Sequence, residues 1–277
     1  MIKIVTDSTC DLPADGIARY DIRVVPLYIN IAGKGYRDGI EITREEFYTR
    51  LPESNPPATT AVPSPEMFRQ VYTELANQGA TEILSLHIST ALSAVVNSAQ
   101  VAAHDMQRAR VTVMDARQLS MGLGFIVETA ARAVAAGQSL DAVVQCVNDT
   151  IKRTRVFTAL DTLEFLKRSG RMNGAIAAMG TLLQVKPLLK MYDGKPVAER
   201  VRTREGATRR LLELLESVGA LERVAIVHTH APARAAELRE RAKHLLPPGE
   251  IADAEITPVI GAHIGPNAVG FACVAKT

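Results

Sequence analysis

Leu84 to Ala99, LSLHISTALSAVVNSA, is the stretch from which the rest of the chain can be read. Ile83 to Ile88 is a short apolar run after the turn residues Gly79 and Ala80, and it predicts a buried strand. The run stops in the hydroxyls of Ser89, Thr90 and Ser93, after which Ala94 to Met106 has helical spacing and helix-forming composition. A strand ending in small donors just before a helix sets them beside free backbone N–H groups at the helix's positive end. α/β proteins hold a phosphate or carboxylate in this way. An ordinary serine cap with nothing bound fits the same letters. The stretch therefore fixes a strand-to-helix junction and leaves the anion open.

Toward the N-terminus the device repeats. Ile2 to Thr6 predicts an apolar strand, and Asp7, Ser8, Thr9, Cys10 and Asp11 follow before Leu12 and Pro13 start a helix. Strand ends of this kind line the ligand crevice of open α/β sheets. Ile22 to Ile31 reads as a second strand, Gly33 to Gly39 as a turn, and Thr43 with Glu46 as a capping box opening a helix through Leu51. The prolines of Pro52 to Pro65, PESNPPATTAVPSP, deny it helix and sheet ladders and predict a loop with Thr59, Thr60 and Ser64 as donors. A loop this long inside a compact domain is usually functional. Met67 to Gln78 resumes an amphipathic helix, which keeps that loop within one domain.

Toward the C-terminus, Val111 to Asp115 predicts a strand, and Met121 to Gly137 and Leu140 to Arg153 predict helices. Strands and helices alternate to this point, as in a parallel sheet covered on both faces. The rhythm then changes. Phe157 to Leu160 reads as a strand, and Asp161 to Ser169 and Gly174 to Leu183 as helices. Val185 to Tyr192 and Lys195 to Val201 flank the hairpin signal Asp193-Gly194. Thr208 to Val218 and Ala233 to Leu245 read as helices, and Arg223 to His228, Glu250 to Pro258 and Val269 to Ala275 as strands. The expectation is an α/β chain of two domains: a parallel-sheet α/β domain over residues 1–153 and an α+β domain over residues 154–277.

Composition narrows the function. Hydrophobic residues are 47% of the 277, enough for a sizeable core, but aromatics are 4% and Trp is absent. Ala, Val, Leu, Ile and Met suit packing against alkyl chains, whereas base stacking needs aromatic platforms. A net charge of +2 makes no electrostatic case for nucleic acid. Cys10, Cys146 and Cys273 are odd in number and widely spaced, which supports neither a disulfide framework nor a zinc site and points to a reducing cytoplasm. The opening MIKIVTDS reads as a strand rather than a signal peptide, and no run of about 20 apolar residues predicts membrane insertion. P-loop, GxGxxG and HExxH patterns are missing.

Gly261-Ala262-His263-Ile264-Gly265-Pro266-Asn267 sets a lone imidazole between glycines and predicts a tight loop that presents it at a fixed place. Such a His could be the base for a serine nucleophile or a donor to a bound anion. No GxSxG elbow surrounds Ser89 or Ser93, which favours binding over hydrolysis. His228 and His230 have strand-end spacing, but no nearby acid or thiol completes a metal set in the sequence, so they read as structural. Lys167, Arg168 and Arg171 form one basic cluster, and Arg202, Arg204, Arg209 and Arg210 another. Each alone is an ordinary solvated face; brought together they would make a docking patch for an acidic partner or phosphate.

Taken together, IVTDSTCDL, TTAVPSPEMF, HISTALSAVVNSA, DARQLSMGLG, LEFLKRSGRMN, VRTREGA and VIGAHIGPNAVGF resemble, in order and spacing across essentially the whole chain, the DegV family of fatty-acid-binding proteins that serve bacterial fatty acid kinase. The resemblance implies two α/β domains holding a long-chain fatty acid in a tunnel. Its carboxylate would be bonded by Thr60, Ser93 and His263, with Ser89, Thr90 and Ala94 of the junction beside them. Arg171 and Arg202 correspond to family arginines concerned with kinase docking or phosphoryl transfer. The implied role is a carrier without turnover, catalytic residue, metal or cofactor of its own; the kinase uses ATP to convert the bound acid to an acyl phosphate for phospholipid synthesis. The chain departs from the family pattern in having Ala94 and Val95 where a glycine and a threonine are usual, TAVPS in the proline-rich loop, and GPN rather than GPG. The competing readings are an esterase or thioesterase using Ser93 and His263, and a sugar- or nucleotide-binding module, which would need a polar cavity.

Overall fold

The computed structural model describes residues 1–170, 186–249 and 251–277. In chain order the first elements are β1 (Ile2–Asp7), α1 (Ala14–Arg19), β2 (Arg23–Val25), β3 (Tyr28–Ile31), β4 (Lys34–Arg37), α2 (Arg44–Arg50), β5 (Thr59–Ala61) and α3 (Pro65–Asn77). Then come β6 (Glu82–His87), α4 (Val95–His104), β7 (Arg110–Asp115), α5 (Ser120–Ala135), α6 (Leu140–Arg153), β8 (Thr154–Ala159) and α7 (Glu164–Arg168). The remaining described elements are β9 (Lys186–Tyr192), β10 (Lys195–Val201), α8 (Arg204–Val218), β11 (Leu221–His228), α9 (Pro232–Ala242), β12 (Ala252–Glu255), α10 (Pro258–Ile264) and β13 (Val269–Ala275).

The architecture is α/β. A four-stranded sheet in the order β2-β1-β6-β7 is parallel throughout. A six-stranded sheet, β10-β9-β8-β13-β11-β12, is antiparallel except where β12 joins β11. A small antiparallel sheet, β4-β3-β5, stands beside them. β6 is buried from Ile83 to His87, as a parallel strand covered on both faces must be. Between the larger sheets runs α5, buried continuously from Ser120 to Val127 and packed against β1 on one side and β8, β11 and β13 on the other. Glycines make that approach possible. A Cβ on Gly124 would lie 2.5 Å from the Cys10 carbonyl oxygen, and one on Gly122 2.7 Å from Val156 Cγ2.

Four sequence expectations change in the folded chain. The strand expected over Ile22 to Ile31 breaks at Pro26, which has no N–H to continue a ladder, and its halves serve different sheets. The expected turn Gly33 to Gly39 holds β4; only Ala32 and Gly33, both at positive φ, make the hairpin turn. The proline-rich segment is not loop throughout: Thr59–Ala61 pairs antiparallel with β3, Thr60 opposite Ile29. Residues 58 to 62 contain no proline, so their backbone donors were free to pair. The glycine-flanked His263 sits in the last turn of α10, with Pro258 at its start and Gly265 at its end with φ 75°. Arg171, the whole of the helix expected over Gly174 to Leu183, Val185 and Glu250 lie outside the described residues.

Closest packing in the six-stranded sheet occurs where β13 meets β8. A Cβ on Gly270 would stand 1.9 Å from the Phe157 carbonyl oxygen and 2.7 Å from Thr158 Cα. Backbone cannot yield as a side-chain tip can. Gly270→Ala is therefore expected to lose about 3 kcal/mol of stability, read as a lower urea midpoint at unchanged m-value.

Candidate functional site

The parallel sheet's C-terminal edge faces the six-stranded sheet across a cavity with about 1070 Å³ of unfilled space, open solvent at its mouth included. Leu27, Thr60, Ala61, Val62, Ile88, Leu92 and Ser93 come from the N-terminal part, and Leu119 and Ser120 from the start of α5. Val156, Thr158 and Leu160 on and after β8, Leu189 and Met191 on β9, and Ile256, Val259, Ile260, His263 and Ile264 at α10 close the other sides. The walls are mostly aliphatic, and apart from Lys190 their polar side chains are hydroxyls and one imidazole. Lys190 brings a charged group to the lining, but its ammonium is held by Glu199 at 3.1 Å, and Glu199 in turn by Arg210 at 2.6 Å. The cavity can take an alkyl chain; a sugar would find too few partners.

Three chain segments bring the polar groups in. The β3–β5 pairing sets Thr60 on the cavity wall, and there its Oγ1 lies 2.9 Å from His263 Nε2, across 203 residues of sequence. Ser93 lines the same cavity from the turn after β6, where its N–H donates to the Ser89 carbonyl oxygen at 3.1 Å. All three are half-buried. Hydroxyl and imidazole N–H groups that converge from an aliphatic wall can donate to a carboxylate end while the rest of a ligand stays in the apolar space.

The other residues singled out from sequence stand elsewhere. Ser89 is fully buried, and its hydroxyl donates to the Gly194 carbonyl oxygen at 3.0 Å, fastening the β9–β10 turn to the end of β6. Thr90 is exposed and donates to Asp115 Oδ2 at 2.6 Å. Ala94 precedes α4 as its cap, without a side-chain bond, and is exposed. None of these three lines the cavity. Arg202 is exposed between β10 and α8, also off the lining. His228 and His230 do meet acids, Asp253 at 3.9 Å and Glu255 at 3.2 Å, both delivered by β12. Among the described residues no cluster of three or more His, Cys, Asp or Glu could hold a metal ion.

Two buried networks escaped sequence reasoning. In the first, Asp7 Oδ2 lies 3.0 Å from His87 Nδ1, His87 Nε2 2.7 Å from Ser85 Oγ, and Ser85 Oγ 2.8 Å from the Tyr72 hydroxyl. Burial alone would raise the Asp7 carboxyl, but the hydrogen bond and charge of His87, with Thr9 and the Ile88 N–H, hold it below the usual range. The array resembles a serine-hydrolase triad in composition only. Asp7, Ser85, His87 and Tyr72 are all sealed from solvent and off the cavity, so it ties β1, β6 and α3 together.

The second network centres on Asp11. Its Oδ1 accepts from Arg44 at 3.1 Å and from the Thr257 N–H at 2.9 Å, and its Oδ2 from Ser120 Oγ at 2.6 Å. Arg44 also donates to the Glu255 carbonyl oxygen, Tyr48 to that of Ile256 at 2.8 Å, and the Thr257 hydroxyl to Asp38. Residues 255 to 257 lead directly into α10, so this clasp sets the helix that carries His263. Burial pushes Asp11 up to about 7, against the opposing Arg44 charge and Ser120 hydrogen bond and with help from nearby Asp38. The only sequence signal was the acid-rich end of β1.

Comparison with known proteins gives a consistent picture. The family model described as "Uncharacterised protein, DegV family" matches residues 1–276. A DegV domain-containing protein of Streptomyces coelicolor is 36% identical over 273 residues, 97% of this chain and 96% of that protein. Among solved structures, the fatty-acid-binding DegV family protein from Thermus thermophilus is 39% identical with a TM-score of 0.91, covering 99% of each chain. DegV from Bacillus subtilis, a fatty acid binding protein, is 29% identical with a TM-score of 0.90, again over 99% of each chain. A stearic acid-binding protein from Eubacterium ventriosum is 26% identical at a TM-score of 0.89, over 100% of this chain and 99% of that one.

Proposed function

This chain belongs to the DegV family, and on that premise we propose that it is a fatty-acid carrier, holding a long-chain acid in the aliphatic cavity with its carboxylate at Thr60, Ser93 and His263. The observation that carries the reading is the Thr60–His263 contact at 2.9 Å on the wall of a cavity whose lining is mostly aliphatic. At roughly 0.8 kcal/mol per buried methylene, a chain of about 16 carbons gains on the order of 10 kcal/mol before immobilisation costs. Affinity thus comes from the tail, and hydrogen bonds to the charged head group, each about 1.5 to 3 kcal/mol, fix direction. No observation favours an esterase built on Ser93 and His263.

The finer part of the proposal is that the bound acid is presented to a fatty acid kinase, with Arg202 and Arg171 at the docking face, in the cytoplasm. Cys10 and Cys273, buried free thiols pushed up to about 12, suit a reducing compartment. Among the described residues no helix is long and apolar enough to cross a membrane.

Organic extraction of the purified protein, with native mass spectrometry of the intact complex, tests the carrier reading. One fatty acid per chain, bound non-covalently, is expected; an empty cavity after exposure to fatty acid would refute it. His263→Ala is expected to weaken fatty-acid affinity by about tenfold to a hundredfold, and His104→Ala, at the exposed end of α4, to leave it unchanged. Equal losses would remove His263 from the head-group site. Arg202→Ala is expected to bind lipid normally and to have its bound acid phosphorylated more slowly by the kinase.

A further inference from the structure

Away from the aliphatic cavity, a second groove, with about 580 Å³ of unfilled space including open solvent, lies where the first two turns of α8 and α9 meet the start of β13. Arg204, Thr208 and Arg234 line it together with Glu205, Glu237 and an apolar floor of Leu238 and Val269. Its acids are already engaged. Arg241 grips Glu205 with two bonds, at 2.7 and 2.6 Å, and reaches Glu237 at 3.8 Å. Asp161, beside the groove, takes Lys186 at 2.7 Å and Arg204 at 3.3 Å.

Arg234 is the group left over. It is half-buried and donates one N–H to the Asn267 carbonyl oxygen, and no ion pair among the described residues includes it. Burial first, and then the like charge of Arg204, lower its pKa. Asp161 and Glu237 oppose these two effects only through space, so a partly desolvated guanidinium stands near a second guanidinium with no acid among the described residues in direct contact. A ligand that suits this pair is anionic, small enough for the groove, and able to accept from two forks at once. A tetrahedral phosphoryl group does this better than a planar carboxylate, because its oxygens point toward both sides. Thr208 already donates to the Arg204 carbonyl oxygen at 3.2 Å, so it shapes the groove rather than adding a donor.

We propose that this groove is a binding site for a phosphoryl oxyanion, either inorganic phosphate or a phosphate monoester, clamped between the Arg204 and Arg234 guanidinium groups. The site does not depend on the carrier reading, and its residues are separate from the cavity lining.

Calorimetric titration of the full chain at constant ionic strength tests it, with inorganic phosphate, glycerol phosphate and acetate as probes. Saturable one-to-one binding of phosphate or of the ester is expected, with little binding of acetate; the tighter of the first two assigns the source. Arg234→Gln and Arg204→Gln are each expected to weaken that binding at least about tenfold while the fatty acid content and the circular dichroism spectrum stay as they are. Glu237→Gln, which removes a negative charge from the rim, is expected to tighten it. Absence of saturable phosphate binding, equal binding of acetate, or unchanged affinity in Arg234→Gln would overturn the proposal.

Discussion

Leu189→Trp is expected to leave a well-folded protein that no longer retains a long-chain fatty acid. Leu189 lies on β9 opposite Thr158, and both line the cavity. Its side chain is only partly buried although it belongs to an inner strand, because it borders unfilled space rather than packed neighbours. An indole there would occupy the channel. If about half of a 16-carbon chain were excluded, the lost burial would be on the order of 5 kcal/mol, close to a 10⁴-fold rise in Kd. Filling space instead of creating it should hold the urea midpoint level or raise it. Leu189→Ala, which widens the same place, should keep the lipid. Recovery of a full equivalent of fatty acid from Leu189→Trp would mean that the alkyl chain runs elsewhere.

That substitution could not have been chosen from the sequence, and the reason is physical. Periodicity reports which face of an element is apolar, and together with the Asp193-Gly194 turn signal and the Thr43 capping box it found β6, α3, α6 and the β9–β10 hairpin. It does not report whether an apolar face meets other side chains or a void. Leu188 and Leu189 read alike in the sequence, yet one is sealed in the core and the other lines the cavity. Pairing partners are equally non-local. Thr59–Ala61 became a strand because β3 offered it an edge, against the weight of four surrounding prolines at positions 56, 57, 63 and 65. Ser89 and Thr90 carried the right chemistry for an anion, but the Gly194 carbonyl and the Asp115 carboxylate are nearer. The helix around His263 was more legible than it looked: Pro258 and Gly265 mark a start and a stop, and the glycines between them masked the signal.

The clasp on α10 leads to the second large effect. Asp11→Ala strands the Thr257 N–H, the Ser120 hydroxyl and one Arg44 donor, of which the first two are buried. At about 1 to 3 kcal/mol per orphaned group, a loss of roughly 3 to 5 kcal/mol is expected. Fatty-acid affinity should fall with it, since the same contacts seat the helix that carries His263. Asp11→Asn keeps an acceptor for Arg44 and Thr257 and tolerates the positive φ of 51° at this position, so it should rescue most of both. The native carboxyl and the Asp11→Asn carboxamide differ in the pH dependence of stability as well. Folding raises Asp11 from an ordinary 3.8 to about 7, so the folded chain takes up a proton between those values. The associated stability is complete below about pH 4 and is lost as pH rises through about 7, with a slope of at most about 1.4 kcal/mol per pH unit. An asparagine has no such slope. The deficit of Asp11→Asn relative to the native chain should therefore shrink between about pH 5 and pH 8 in urea titrations. A deficit that grew with pH would mean that the Asp11 carboxylate gains more from Arg44 and its donors than it loses by burial, and that its proton is absent throughout this range.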